Sequence, residues 1–343
     1  MEKLVPIACV LASVVLGCSS GSGSGSAASD SGSGEMGGDG GIVSPEPDAS
    51  IADGGGGSDA PGPSDAMPDS SSATDGTSPP PHDAGAEASS PYPGYVLAWS
   101  DEFDGPDGSA PDPTKWTYDI GGGGWGNQER EYYTNSRTNS VIQGGDLVIT
   151  ATTDGASAQS CWYGTCLYTS ARLKTQGLFA QAYGRFEARA QMPFGQGLWP
   201  AIWMLGDNID TGSWPTCGEI DFLETIGSDI TNNHGSLHAP NWNPTATYPL
   251  PGGQKYSDAF HTFAVEWDPG TVRFYVDDML YETQDQGGAS GAGGTWEFDH
   301  PFFLIANVAV GGTWPGDPDS TTTFPQTLKV DYVRVYQRTN ADP

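Results

Sequence analysis

Apolar and polar side chains take turns along the chain from about Pro91 onward, in short runs separated by Gly, Asn, Asp and Pro. Alternation with period two places successive side chains on opposite faces of a strand, and the intervening residues are those that turns require. "GGDLVITATT" (Gly144–Thr153) reads as one strand, and "GLFAQAYGRFEARAQMP" (Gly177–Pro193) sets Phe179, Tyr183 and Phe186 among small or polar residues. "FHTFAVEWDPGTVRFYVDDMLYE" (Phe260–Glu282) reads as a hairpin turning at Asp268-Pro269-Gly270. There proline presets φ and glycine tolerates a left-handed conformation. On its second arm Val272, Phe274 and Val276 face one way, and Arg273, Tyr275 and Asp277 the other. "FFLIANVAVGG" (Phe302–Gly312) is nearly all apolar, as expected of a strand covered on both faces, and "TLKVDYVRVYQ" (Thr327–Gln337) alternates again. No segment sustains a helical apolar period beyond about two turns, and no repeat of fixed period is visible. The fold class expected is all-β, two packed antiparallel sheets.

Composition changes the picture upstream. Between Ser19 and Ser90 the chain is Gly, Ser, Ala, Asp and Pro without a single Lys or Arg, in runs such as "GSGSGS", "DGGGGSDAPGPSDA" and "SPPPHDAGAEASS". Such a segment has too little apolar surface to offset chain entropy and is expected to be a disordered linker, residues 18–92. It carries a good share of the formal charge of -30, a balance that excludes a nucleic-acid partner. Before it, "MEKLVPIACVLASVVLGCSS" has an apolar run from Leu4 to Leu16, too short to span a bilayer comfortably. It reads as a secretory signal (residues 1–17). "VVLGC" resembles a bacterial lipobox, which implies a lipidated Cys18 and an exported protein tethered to the cell surface or outer membrane. An ordinary signal peptide with an incidental cysteine is the alternative. The remaining stretch, 93–338 with a tail at 339–343, is the size of one large β domain and is expected to act as a monomer.

Setting Cys9 and Cys18 aside, Cys161, Cys166 and Cys217 remain. In an oxidising compartment Cys161 and Cys166 can close a small loop, leaving Cys217 a buried thiol. No His or Cys partners stand at the spacing of a metal site.

The candidate chemistry lies in "SWPTCGEIDFLETIG" (Ser213–Gly227), where Glu219, Asp221 and Glu224 fall within six residues. Close carboxylates raise one another's pKa values, which ordinary structural strands avoid. On a regular strand Glu219 and Asp221 share a face and Glu224 takes the other. A β-bulge at Phe222-Leu223 returns Glu224 to that face and sends the spare apolar side chain into the core. The two glutamates are then four strand positions apart, about 13 Å between Cα atoms at ~3.3 Å per residue. Leaning side chains bring the carboxyls within the span of a glycosidase pair, which is about 5–5.5 Å for retention and about 6.5–9.5 Å for inversion. One carboxylate would be ionised and its partner protonated, with Asp221 hydrogen-bonded to Glu219. A solvated acidic face is the bland alternative, against which stand the apolar spacers and the Trp-rich surroundings.

"GEIDFLE" resembles the E-x-D-x-x-E signature of glycoside hydrolase family 16. "WSDEFDG", "GWGNQEREYYT", "YGRFEARAQMP", "GLWPAIWMLG", "FHTFAVEW", "FFLIANVAVGGTWPG" and "VDYVRVYQ" follow the family's bacterial laminarinase branch in order, over residues 95 to 338. The resemblance implies a jelly-roll sandwich with a concave glycan cleft, cutting β-1,3 bonds with retention, and no cofactor for catalysis. Carried over, Glu219 matches the nucleophile, Asp221 the assisting acid and Glu224 the general acid/base. Trp199 and Trp203 match sugar-stacking positions and Asn127 a polar contact, with Arg172 and His238 looser matches. Arg172 as a buried ion-pair partner, and His238 as a structural histidine, are the alternatives. Many members hold a structural calcium, whose positions correspond to Glu102, Gly145 and Asp331. Where the branch most often has Met before the last Glu, this chain has Leu223, and "DGASAQSCWYGTCLY" before Arg172 is an insertion that shapes the cleft or is pinned by a disulfide. Trp242 in "APNWNP" is expected at the cleft rim, and "GGGG" before Trp125 to let backbone approach a glycan. Mixed-linkage β-glucan, a galactan, and a non-catalytic glycan-binding role on the same fold remain as alternatives.

Overall fold

A computed structural model describes residues 90–339. The expected signal, the lipobox-like Cys18 and nearly all of the expected linker lie outside the described residues. Among the described residues, nineteen strands form two large antiparallel sheets and two small pairs. The first sheet contains β1 (Tyr95–Asp101), β4 (Ser140–Gln143), β5 (Asp146–Ala151), β10 (Gly184–Gln191), β15 (His261–Asp268), β16 (Thr271–Val276), β17 (Met279–Asp285) and β19 (Gln326–Arg338). Its order is β17-β16-β15-β10-β19-β5-β4, with β1 also on β19. The second contains β2 (Thr117–Asp119), β9 (Arg172–Lys174), β11 (Leu198–Gly206), β12 (Glu219–Glu224), β13 (Asn232–His238), β14 (Thr245–Pro249) and β18 (Phe302–Val310), in the order β14-β13-β12-β11-β18-β9-β2. β3 (Glu131–Tyr133) pairs with β8 (Tyr168–Ser170), and β6 (Ser160–Cys161) with β7 (Gly164–Thr165).

The core lies between the large sheets, and the alternation in the sequence decides what enters it. From β16 come Val272, Phe274 and Val276, from β11 Leu198, Ile202 and Met204, and from β19 Leu328, Val330, Val333 and Val335. Each such side chain removes enough apolar surface from water to contribute about 1.5–3 kcal/mol. β18 is buried at every position. Its inward residues join the main core, while Phe303 and Ile305 on the other face pack with Leu205 and Cys217 in a smaller cluster. That second cluster is why β18 lacks alternation. The fold is the all-β jelly roll expected, and the β15–β16 hairpin turns at Pro269-Gly270 with Gly270 at φ 74°.

Two local expectations fail. β10 begins only at Gly184, because Tyr183 (φ 64°) and Gly184 (φ 118°) break the extended backbone and any side chain at Gly184 would collide with the Tyr336 carbonyl. Phe179 therefore belongs to the preceding turn. Trp242 is not at a rim. It is buried in the main core, its ring tilted against Trp296 at 5.8 Å and edge-on to Phe298 at 6.3 Å. The Ala239–Trp242 bridge folds the loop inward, so the loop composition of "APNWNP" misled about exposure.

Candidate active site

The bulge exists. β12 pairs with β11 as Ala201↔Glu224, Ile202↔Leu223 and Trp203↔Asp221, so Phe222 has no partner of its own. Phe222 and Leu223 both enter the core, while Glu219, Asp221 and Glu224 share the outer face with Trp199 and Trp203 of β11. β13 completes the row, setting His238 opposite Glu219 and Ser236 opposite Asp221.

Each acid has its own partner. The Trp214 indole N–H donates to Glu219 Oε2 at 2.9 Å, and the Trp199 indole N–H donates to Glu224 Oε1 at 3.0 Å. Asp221, 3% exposed, does not bond Glu219 directly. His238 stands between them, its Nε2 3.2 Å from Asp221 Oδ2 and 3.8 Å from Glu219 Oε1. An imidazole N–H supplies the donor that a carboxylate lacks. Nδ1 of the same ring faces Asn243 Oδ1 at 3.2 Å, so both ring nitrogens meet acceptors, which suits the imidazolium.

Burial and then the Asp221 charge push Glu219 up to about 7 and Glu224 up to about 8. The indole donors and the His238 charge pull the other way without prevailing. For His238 burial favours the neutral ring. The Asp221 hydrogen bond and the three surrounding acids outweigh it and raise the imidazole to about 10.

The other expected residues gather on the same floor. Arg172 on β9 lies over Trp125 at 5.0 Å and over Trp203 at 4.9 Å, and its Nε is 3.0 Å from Asp119 Oδ2. The ion-pair reading of this arginine holds, and the pair with Asp119 sets its stacking on the two tryptophans. Trp203 is aligned by its indole N–H, which donates to Asn307 Oδ1 at 2.8 Å. Asn127 donates to buried Glu129 at 3.3 Å. Sequence reasoning missed Trp214, although it lies five residues before Glu219, and Asn307, the lone polar residue of an apolar strand. It also missed His234, whose ring meets Trp314 edge-on at 5.0 Å beside Trp199.

The disulfide Cys161–Cys166 forms, and among the described residues Cys217 is a free, buried thiol. Two of the glycines before Trp125, Gly122 and Gly124, make room for protein. A side chain at Gly122 would meet Cys161 Sγ at 2.5 Å, and one at Gly124 would meet Trp162 at 2.9 Å. The insertion thus packs against the loop that carries Trp125 and Asn127.

The calcium positions do not fit as a side-chain cage. Arg334 grips Glu102 at 2.9 and 2.7 Å, and Arg189 holds Asp331 at 2.6 Å, while Gly145 (φ 82°) is part of the β4–β5 turn. Both carboxylates are already neutralised by guanidinium groups, so no step below involves a metal.

Comparison with known proteins agrees with this geometry. The profile of the Glycosyl hydrolases family 16 matches residues 127–334. A β-glucanase of Rhodothermus marinus is 43% identical over 266 residues, covering 74% of this chain and 89% of the relative. Among solved structures, the catalytic domain of an endo-1,3-β-glucanase (laminarinase) from Thermotoga petrophila is 46% identical with a TM-score of 0.67, covering 72% of this chain and 99% of that one. The endo-β-1,3-glucanase from Pyrococcus furiosus is 42% identical with a TM-score of 0.68, covering 72% and 96%.

Proposed function

The chain belongs to glycosyl hydrolase family 16, and on that premise we propose that it is an endo-acting β-1,3-glucanase that cleaves with retention by double displacement. Glu219 is the nucleophile, Glu224 the general acid/base and Asp221 the assisting acid. One observation carries the reading. The bulge turns all three acids to the same face, and burial beside the Asp221 charge raises both glutamates toward neutrality.

In the first step ionised Glu219 attacks the anomeric carbon, the glycosidic C–O bond breaks, and Glu224 delivers its proton to the departing oxygen. The indole N–H of Trp214 favours the charged form that attack requires. Ester formation removes the Glu219 charge, so Glu224 is left as the carboxylate that the second step needs. Glu224 then takes a proton from water, the hydroxide equivalent attacks the same carbon, and Glu219 leaves. Protonated His238 balances the Asp221 charge throughout.

The test is product analysis on laminarin. Wild-type enzyme is expected to release oligosaccharides of several lengths, with the β anomer first in an NMR time course, and Glu219→Gln to release none. A first-formed α anomer would rule out double displacement, and release of glucose alone would rule out endo action.

A further inference from the structure

Beneath the floor of the cleft lies a second carboxyl pair that the mechanism does not use. Glu129 is 4% exposed and Glu131, on β3, is 0% exposed. Glu129 Oε1 accepts from Asn127 Nδ2 at 3.3 Å and Oε2 accepts from the Tyr133 hydroxyl at 3.0 Å. Glu131 Oε2 accepts from the Val310 backbone N–H at 2.7 Å. Glu131 Oε1 has no donor among the described residues, and the group it adjoins is the Glu129 carboxyl. The cation acting on Glu129 is Arg172, which is already shared with Asp119. From the solvent side the insertion seals the pair, with the Trp162 indole donating to the Glu129 carbonyl at 2.8 Å.

Two ionised carboxylates side by side in a dry interior repel strongly, whereas one proton between them turns the repulsion into a hydrogen bond. We propose that Glu131 is held as a neutral carboxylic acid whose proton bridges to an ionised Glu129, and that the pair positions the sugar-binding side chains of the cleft floor. The donor inventory decides which acid holds the proton: Glu129 accepts from Asn127 and Tyr133 and feels the Arg172 charge, whereas Glu131 has the Val310 N–H alone among the described residues. Tyr133 gives its hydroxyl proton to Glu129 and accepts from Asn307 Nδ2 at 3.2 Å, which leaves Asn307 Oδ1 to accept from Trp203. A proton on Glu129 Oε2 would reverse Tyr133, turn the Asn307 amide over and set N–H against N–H at Trp203. Burial pushes both carboxyls above the usual carboxylate range, Arg172 opposing it at Glu129 and the Glu129 charge adding to it at Glu131. Glu131 is thus a positioning residue that acts through Glu129 on Asn127 and Trp203.

The experiment compares Glu131→Gln with Glu131→Leu in the full chain. Glutamine supplies an N–H where the acid supplied its O–H, so Glu131→Gln should keep kcat and KM on laminarin within about twofold of wild type. Glu131→Leu removes the donor and should raise KM several-fold while changing kcat less. Beyond the band that the protonated catalytic acid Glu224 contributes, a second infrared C=O band of a protonated carboxyl should be present in wild type and lost in Glu131→Gln. The kinetic arm rests on the β-glucanase reading, while the infrared arm reads the proton whatever the glycan, so the two failures are distinguishable. An unchanged second band in Glu131→Gln overturns the protonation, and this readout stands even if Glu131→Leu does not fold. Glu131→Gln impaired as severely as a folded Glu131→Leu, or Glu131→Leu with the KM of wild type, overturns the positioning role.

Discussion

At Glu224 burial and the Asp221 charge favour the proton, while the Trp199 N–H favours its loss, and the balance lies above neutrality. Glu219 sits lower, at about 7. Activity should therefore rise with pH as Glu219 ionises and fall as Glu224 deprotonates, a bell measurable in kcat/KM. Trp214→Phe removes the indole donor from Glu219 and should move the acid limb to higher pH. An unmoved limb would detach that limb from Glu219. The same pKa values bear on stability. A carboxyl whose folded pKa is raised binds a proton that the unfolded chain has released, so it costs stability as pH climbs from about 4.5 toward 8. Glu224→Gln should accordingly gain in Tm relative to wild type at pH 9 and show little gain at pH 4, by calorimetry. The acids and their spacing were legible in the sequence because they are consecutive in one motif. Their aligning donors were less so. Trp214 arrives from a loop and Asn307 from a strand two places away, and neither proximity is written in local spacing.

The bulge is the element on which the site depends. An odd number of steps separates Glu219 from Glu224, and two adjacent apolar residues fill the gap, so the extra residue could be read before any coordinates. Phe222 carries both functions of that element, filling the core and setting the phase of the strand. Phe222→Ala should destabilise the protein by about 3–5 kcal/mol through its cavity while leaving the acids in phase. Deleting Phe222 should abolish hydrolysis even in material that remains folded by circular dichroism, because Glu224 then turns inward. Hydrolysis near the wild-type rate in the deletion would mean that the bulge does not set the acids. β18 shows the converse case. Its nearly all-apolar run correctly announced burial on both faces, yet nothing in it named Leu205 and Cys217 as the cover.

Across the whole molecule, the insertion holds the loop of Trp125 and Asn127 from outside. Trp162 hydrogen-bonds the Glu129 backbone, Tyr163 the Arg130 backbone, and Arg130 stacks on both rings while gripping Asp317 at 2.8 and 3.0 Å. The loop needs such support, since Trp125 (φ 48°) and Gln128 (φ 59°) occupy a left-handed conformation that costs about 1 kcal/mol or more each. Cys161→Ser with Cys166→Ser should lower stability by about 2 kcal/mol and raise KM for laminarin more than it lowers kcat. A stability loss with KM unchanged would make the disulfide a brace for the insertion alone. Local pattern by itself determined the strand alternation, the all-β two-sheet class and the three acids on one bulged strand, because each depends on residues close in sequence or on a periodic choice of face, while the jelly roll was implied by the family resemblance. Only the tertiary structure decided that Trp242 is core, that the glycine run receives a disulfide loop, that His238 separates Asp221 from Glu219, and that Glu129 and Glu131 share a dry pocket. Those outcomes depend on which distant segments meet, and dense packing admits one neighbour where composition allows many.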